Sequence, residues 1–474
     1  MKVKYLDLKI LILFFFFKFL FFNLFPINYE YSIVDVVSYF SHYDQKYLDE
    51  YTAINANTLV YPYLIFFISK IFFVKNFYVI AKLISALSYL FLFLSLKNIN
   101  NIFNFKNYNL ILLILFINPL IWIYTSRISV DIFPSSLVLY SMSIILVYKN
   151  SFKSILISLI IFLFSILLKP SLLILLPLPV LLILFYDKNY GVNFVIASFF
   201  SLIIIIGVLI YYFYSVANFG FFISTVNNLN YPRNFLFIIS NFFIYLGMLF
   251  IFCMPIIFFI KYKKISLNNL FLVIIFFFFG YSSNYFFGEI DLGIYTFLSP
   301  NYLKGFYFSF AIFFIIIIKN FFIEKNYENK KLFIIILFSI VFYILALSFF
   351  RPAQRYLIPA MLLMYIMLFS IVDVKKYFII IFLIFFSFSC YSSLNHINRS
   401  FVAKDVIEYL VKNELLNLTN GGVVTDSFNW VGVRKNLNYD ERYIITVKYN
   451  NIECIKEFKL LITYIGKNYC LVKK

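Results

Sequence analysis

The chain has 474 residues, of which 63% are hydrophobic, 23% aromatic and only 13% charged. Its mean hydropathy of +0.92 excludes a water-soluble globular protein, because such a protein needs a far more polar surface. The net charge of +19 would suit a nucleic-acid partner in a soluble protein, but much of the lysine lies in short connections between apolar runs. Membrane topology and anionic lipid headgroups explain that placement better, so no nucleic-acid partner is expected.

Apolar runs of the length that a membrane-crossing helix needs recur along the chain, without the alternation of a membrane barrel. They predict an all-α polytopic membrane protein with about 13 transmembrane helices. The predicted spans are 9–25, 79–96, 108–125, 132–148, 153–168, 171–186, 193–214, 235–260, 267–287, 303–319, 332–350, 356–372 and 377–394.

The lysine distribution predicts a cytoplasmic N-terminus. With the N-terminus inside, the spans above place the lysine clusters of the connections on the cytoplasmic side, as the positive-inside rule requires. A further crossing at 59–74 would reverse every later connection. That segment is short and carries Lys70, so we predict a helix along the outer face, after an outer loop at 26–58. Residues 1–25 show no small-residue cleavage site and are predicted to be an uncleaved span.

The tail changes character, since charges return after about residue 395. We predict a transmembrane domain at 1–395 and a small extracytoplasmic α/β domain at 396–474. Its predicted elements are a helix at 402–411 and strands at 422–425, 443–447 and 460–464. Cys454 and Cys470 either form a disulfide there or stay unpaired, and the sequence leaves both open.

The first outer loop concentrates acids. Asp35, Asp44, Asp49 and Glu50 lie within it, and any one taken alone is most simply a solvated charge. Position favours Asp35, because it follows the first span closely and precedes Tyr39.

A further acid, Asp131, lies between two spans close to Arg127, where an ion pair or a helix cap is the simple interpretation. The functional interpretation is a second outer-face acid opposite Asp35. One carboxylate would take a proton from an acceptor hydroxyl, and the other would orient groups or hold a divalent metal such as Mg²⁺ or Mn²⁺.

Three cations lie at span boundaries on the predicted outer face. Lys169 interrupts an apolar stretch and precedes Pro170, while Arg351 and Arg355 flank another boundary. Interfacial anchoring explains such residues in many membrane proteins. An ammonium and a guanidinium fork also suit a lipid phosphate, and both interpretations stay open.

Five motifs follow one another along roughly residues 10–370: DVVSY, YPYLIFFISKIFF, NPLIWIYTSRISVDIF, LLKPSLLILLPLP and RYLIPAMLLMYIML. This ordered set resembles the membrane glycosyltransferases with the GT-C fold, which include protein O-mannosyltransferases and lipid A aminoarabinose transferases. The resemblance implies that Asp35 is the catalytic base or metal-side acid and Asp131 the acid of the second outer loop. It also implies that Lys169 and Arg355 meet the phosphate of a carrier lipid.

The chain departs from the family pattern in two places. The usual Asp-Glu pair is Asp35-Val36 here, and the usual Pro-Pro pair is Tyr61-Pro62. Asp49-Glu50 is a genuine acidic pair and remains a second match for the first acid, although it lies close to Pro62.

The resemblance implies a multi-pass enzyme of the plasma (inner) membrane with the C-terminal domain outside. It would transfer a sugar, with inversion, from a polyprenyl-phosphate donor to a lipid, glycan or protein acceptor at the outer face. Two alternatives are a flippase or exporter and a polymerase or ligase of lipid-linked glycans. A transporter is expected to carry charged or helix-breaking residues within several spans.

Overall fold

The computed structural model of the protein describes residues 5–21, 60–105, 107–126, 130–148, 151–185, 190–219, 235–259, 266–283, 300–319, 330–349, 354–372, 374–415, 418–420, 442–448, 453–459 and 468–473. Several predicted features lie outside these ranges: the outer loop at 26–58 with Asp35, Tyr39, Asp44, Asp49 and Glu50, the strands at 422–425 and 460–464, and both Arg127 and Arg351.

The described chain is built mainly from α-helices. They are α1 (Tyr5–Phe21), α2 (Val60–Phe72), α3 (Phe77–Phe103), α4 (Tyr108–Phe116), α5 (Pro119–Tyr124), α6 (Ile132–Tyr148), α7 (Phe152–Leu168), α8 (Pro177–Phe185), α9 (Tyr190–Phe219), α10 (Phe235–Ile257), α11 (Leu267–Ser282), α12 (Pro300–Ile318), α13 (Lys330–Leu347), α14 (Ile358–Phe369) and α15 (Val374–Lys412). Two 3₁₀ segments, Pro170–Leu175 and Gln354–Leu357, precede α8 and α14.

Six helical stretches in the described part of the chain are long and apolar enough to cross a membrane. They are Val79–Phe103, Val192–Phe213, Phe235–Ile257, Asn301–Ile318, Lys330–Leu347 and Lys375–Asn395. Shorter apolar helices accompany them. The protein is therefore a multi-pass membrane protein, and the predicted all-α polytopic fold with a small C-terminal α/β part is confirmed.

Two predicted spans are broken in the structure. The span at 108–125 consists of α4 and α5, which are separated at Asn118, and the amide oxygen of Asn118 accepts from the backbone N–H of Leu120 at 3.0 Å. The span at 171–186 consists of a 3₁₀ segment and α8, which begins at Pro177. Asn and Pro favour such interruptions, since an Asn side chain caps a new helix and Pro lacks an N–H.

One continuous apolar core joins side chains from α1, from α3 to α10, and from α12 to α15. The approach of α10 to α12 is very close, because a Cβ on Gly247 would lie 2.1 Å from the backbone oxygen of Tyr307. Without a hydrophobic driving force between helices in lipid, such small-residue contacts are a main source of packing energy.

The predicted helix at 59–74 is present as α2, with 13 residues. One face of α2 is buried, with Tyr61, Pro62 and Ile65 turned inward, and it forms a second apolar cluster with residues of α3, α6 and α7. Other side chains of α2, among them Phe67 and Phe72, are exposed. A helix of about 13 residues rises roughly 20 Å, which is shorter than the hydrocarbon layer.

The C-terminal part packs a four-stranded sheet against the end of α15. The strands are β1 (Thr419–Asn420), β2 (Tyr443–Val447), β3 (Lys456–Phe458) and β4 (Tyr469–Lys473), in the order β1-β2-β4-β3. The strand predicted at 443–447 is confirmed, and the helix predicted at 402–411 lies within α15. Val402, Val406 and Leu410 of α15 cover one face of the sheet. Cys454 and Cys470 form a disulfide with a Cα–Cα distance of 5.4 Å.

Candidate functional site

Asp131 lies immediately before α6. Its backbone oxygen accepts from the N–H of Ser135 at 3.3 Å and from the Ser135 hydroxyl at 2.6 Å, so Asp131 occupies the position that begins the helix. Its side chain is only 3% exposed. A carboxylate buried to that extent needs charged or hydrogen-bonding partners.

Lys169 lies at a break between two helical segments. Pro170 disfavours helical torsions at the residue before it, and Lys169 is accordingly extended, with φ −142° and ψ 95°. The backbone N–H of Lys169 still donates to Ser165 in α7, at 3.0 Å, while its carbonyl accepts from Leu172 in the 3₁₀ segment, also at 3.0 Å. The break directs the side chain inward, where it is 6% exposed.

Arg355 lies in the second 3₁₀ segment, just before α14. Its side chain is 20% exposed. The neighbouring residue Tyr356 accepts at its backbone oxygen from the hydroxyl of Tyr343 on α13, at 2.9 Å. That bond holds the 3₁₀ segment against α13.

Both cations converge on Asp131. The Lys169 ammonium donates to Oδ1 of Asp131, and the Arg355 Nε lies 3.9 Å from Oδ2. The Tyr356 ring lies beside both, with its centroid 5.0 Å from the Lys169 ammonium and 5.4 Å from the Arg355 guanidinium carbon. Tyr343 is close enough to Asp131 to interact with it electrostatically. We call Asp131, Lys169, Arg355, Tyr343 and Tyr356 the charged cluster.

The charges of the cluster determine what it can bind. Among the described residues, two cations and one carboxylate leave one net positive charge at a site surrounded by apolar helices. Electrostatic attraction is stronger in such surroundings than in water, so the cluster favours an anion, and a guanidinium and an ammonium together suit a phosphate. Asp131 itself has a cation at each oxygen, which leaves it poorly placed to accept a proton from a substrate.

The surroundings of Asp131 do not fit a divalent metal. The described residues contain no group of three or more His, Cys, Asp or Glu side chains that could hold one. Two cations already face the Asp131 carboxylate, so a metal ion there would add like charge. A metal site therefore depends on the acids of the first outer loop and stays a prediction.

Of the predicted site residues within the described ranges, the structure brings together Asp131, Lys169 and Arg355. Tyr343 and Tyr356 were missed. The sequence does contain one signal for the segments that carry these cations. Pro170 follows Lys169 and Pro352 follows Arg351, and after six further residues each of these prolines is followed by a second one, Pro177 and Pro359 respectively. Each second proline lies at the start of a helix, and this shared pattern marks two related breaks in otherwise apolar stretches.

Fold and site together define a multi-pass helical membrane protein with buried cations at helix breaks. A search of solved structures finds similarity to ArnT from Cupriavidus metallidurans, as seen in the crystal structure of its apo state. ArnT is a lipid A aminoarabinose transferase with the GT-C fold. The two chains share 12% identity, the TM-score is 0.41, and the match covers 86% of this chain and 80% of ArnT. No protein-family model and no curated protein sequence matches the chain.

Proposed function

We propose that the protein is an integral-membrane glycosyltransferase that moves a sugar from a polyprenyl-phosphate donor to an acceptor at the outer face of the plasma (inner) membrane. One observation carries the proposal: Lys169 and Arg355, delivered by two separate helix breaks, meet at a single buried carboxylate. A lipid-linked phosphate needs a cationic site that is reached from the bilayer, and this arrangement supplies one.

The cations would hold the donor phosphate and stabilise it as a leaving group. Arg355 is the more exposed of the two and can offer two parallel N–H groups to phosphate oxygens. Lys169 is nearly buried and adds a point charge. Cations positioned where negative charge develops lower the barrier for the step in which the phosphate departs.

The chemical step is a single displacement at the anomeric carbon. The acceptor oxygen forms a bond to that carbon while the bond from the carbon to the phosphate oxygen breaks, which inverts the configuration. The acceptor proton passes to Asp35, our candidate base, and the electron pair of the broken bond stays with the phosphate. Asp49 and Glu50 are the reserve candidates for the base, with Asp44.

Asp131 has a different proposed role from Asp35. In the absence of donor its carboxylate neutralises Lys169 and Arg355 and keeps both at the site. The donor phosphate then competes with Asp131 for the same cations. Asp131 is therefore a residue that organises the phosphate site, and the proton transfer falls to the first outer loop.

The disulfide supports an extracytoplasmic tail. Disulfides persist in oxidising compartments and are rare in the cytosol, so Cys454–Cys470 suits the outer side of the membrane. The predicted topology places the charged cluster and the tail on that same side. The tail is then in reach of an acceptor that arrives from outside.

A flippase for a lipid-linked glycan is the second candidate, and the helix breaks favour it specifically. Helices interrupted within the membrane are typical of transporters, and the extended residue Lys169 with the 3₁₀ segment before α8 has this form. Translocation needs no nucleophile or base, whereas transfer does.

Reconstituted protein separates the two functions. Proteoliposomes would receive polyprenyl-phosphate sugars labelled in the sugar, together with candidate acceptors. If the protein is a transferase, a labelled acceptor and free polyprenyl phosphate are expected. Both products should disappear in the Asp35→Asn variant, while its expression and thermal stability stay unchanged. Movement of intact donor between leaflets, without any labelled acceptor, would establish the flippase instead.

A further inference from the structure

A second buried cation lies outside the charged cluster. Lys18, in the last turn of α1, has a side chain with no exposed surface, although it is an ammonium within an apolar span. A lysine at a helix end usually reaches toward the membrane surface. Lys18 instead points into the protein, where specific contacts offset the cost of burial.

Lys18 contacts the C-terminal end of α5. The Lys18 ammonium donates to the backbone oxygen of Trp122 and to the hydroxyl of Ser126, and it lies 3.7 Å from the centroid of the Trp122 ring. The Trp122 backbone oxygen also accepts from the hydroxyls of Ser126, at 2.8 Å, and Thr125, at 3.2 Å. Lys18 adds a charged donor from a different span to these local hydrogen bonds.

The same tryptophan also connects α5 to the helix that leads to the tail. The indole Nε1 of Trp122 donates to the hydroxyl of Ser393 on α15, at 2.9 Å. The end of α5 is therefore held from two sides, by α1 and by α15. Asp131 follows Ser126 by five positions, and α5 also packs against the 3₁₀ segment that carries Arg355.

We infer that Lys18 is a positioning residue, which fixes the end of α5 and thereby sets the place at which Asp131 meets Lys169 and Arg355. This role rests on the proposed function for its effect on donor binding. It assigns no contact between Lys18 and substrate. It gives a reason for a fully buried lysine in the apolar part of α1.

Hydrogen exchange tests whether Lys18 fixes the end of α5, and this measurement requires no enzymatic activity. Lys18→Met keeps a side chain of similar length but removes the charge and the donors, so exchange in the peptide 119–131 should rise. Lys304→Met is the matched control, because Lys304 is also buried and its ammonium donates to the backbone oxygen of Ser283 at the end of α11. The control should raise exchange near 283 and leave 119–131 unchanged. Unchanged exchange at 119–131 in Lys18→Met would overturn the inference.

A double-mutant cycle tests the link to the site. Binding of polyprenyl phosphate to protein in nanodiscs should weaken by about tenfold in Lys18→Met, within the range measured for coupled contacts. In an Asp131→Asn background the same change should have little further effect, because the residue that Lys18 positions is already altered. If Lys18→Met weakens binding by the same factor in the Asp131→Asn background as in the unaltered protein, Lys18 only stabilises the bundle and its positioning role is rejected. If the unaltered protein binds no polyprenyl phosphate, the proposed function fails, while the exchange result still decides the role of Lys18.

Discussion

Lys169 and Asp131 form an ion pair between positions 38 residues apart, at a site where both side chains are almost wholly buried. The lysine comes from a proline-induced break after α7, and the aspartate is the residue immediately before α6. Each charge compensates the burial cost of the other, so the pair stabilises the bundle only while both charges are present.

Removing one partner of this pair should destabilise the protein more than removing both. Lys169→Met leaves the buried Asp131 carboxylate without its ammonium partner, and we expect a loss of about 3–5 kcal/mol. The double variant Lys169→Met/Asp131→Asn should recover most of that loss, because no carboxylate charge remains. Thermal unfolding in detergent measures both, and a double variant as unstable as the single one would contradict this account.

Arg355 should matter for donor binding more than for stability. Its Nε lies 3.9 Å from Asp131 and its side chain is partly exposed, so Arg355→Lys should change the unfolding free energy by less than about 1 kcal/mol. Arg355→Lys removes the guanidinium group, which can donate two parallel hydrogen bonds to a phosphate. This loss should weaken binding of polyprenyl phosphate by about tenfold or more. Lys375→Gln, at the predicted cytoplasmic side, is the control and should bind normally. Equal binding by Arg355→Lys and the unaltered protein would remove Arg355 from the phosphate site.

The contact between α10 and α12 should tolerate no side chain at Gly247. A Cβ there meets the backbone of Tyr307 at 2.1 Å, and backbone cannot move aside as a side chain can. Gly247→Ala should therefore cost about 3 kcal/mol or more, at the upper end for overpacked cores. In Gly207→Ala the new Cβ meets only methyl groups of Leu163, at 2.9 Å, and the thermal midpoint should change much less. Equal thermal midpoints for Gly247→Ala and Gly207→Ala would contradict this prediction.

Most of the helices could be predicted from the sequence because their signal is local. Long apolar runs require helices in a bilayer, where every backbone polar group must be satisfied within its own segment. The breaks at Asn118 and Pro177 were missed, since the apolar run continues through them and only the backbone is interrupted. In α15 the predicted helix end was wrong in the other direction. The polar stretch after residue 391 suggested that the helix ends there. The helix continues instead, because no Gly or Pro interrupts residues 374–412.

The charged cluster could be predicted only in part. Asp131, Lys169 and Arg355 stand out individually, because charge is rare in this chain. Their meeting depends on how α6, α7 and α14 pack, which no local pattern in the sequence encodes. The predicted pairing of Asp131 with Arg127 lies outside the described residues and stays a prediction. Tyr343 and Tyr356 could not be singled out, since the chain contains 40 tyrosines and these two differ from the others only by tertiary position.

The disulfide should account for much of the stability of the small C-terminal sheet. It closes a loop between positions 16 apart, which corresponds to about 3 kcal/mol in the chain-entropy description. Cys454→Ser/Cys470→Ser should therefore lose exchange protection in β2 and β4, while Cys390→Ser, which alters a cysteine outside the disulfide, should not. Maleimide labelling of intact cells without reductant provides a second measurement. Modification of both tail cysteines there would show that the pair is reduced and would weaken the extracytoplasmic assignment.

The same sheet should lose stability in acid because of Glu457. A hydrogen bond from the Lys448 ammonium, together with one from the Asn468 amide at 2.8 Å, lowers the pKa of Glu457 below its usual value. A carboxyl group with a lower pKa in the folded state stabilises that state above its unfolded pKa, and this contribution disappears as the pH falls through the folded pKa. Exchange protection of β3 and β4 should thus decrease below about pH 4.5, around the ordinary glutamate range. Glu457→Gln should be less protected at neutral pH and should show a weaker dependence on pH. An unchanged pH dependence in that variant would assign the acid sensitivity to other carboxylates of the tail.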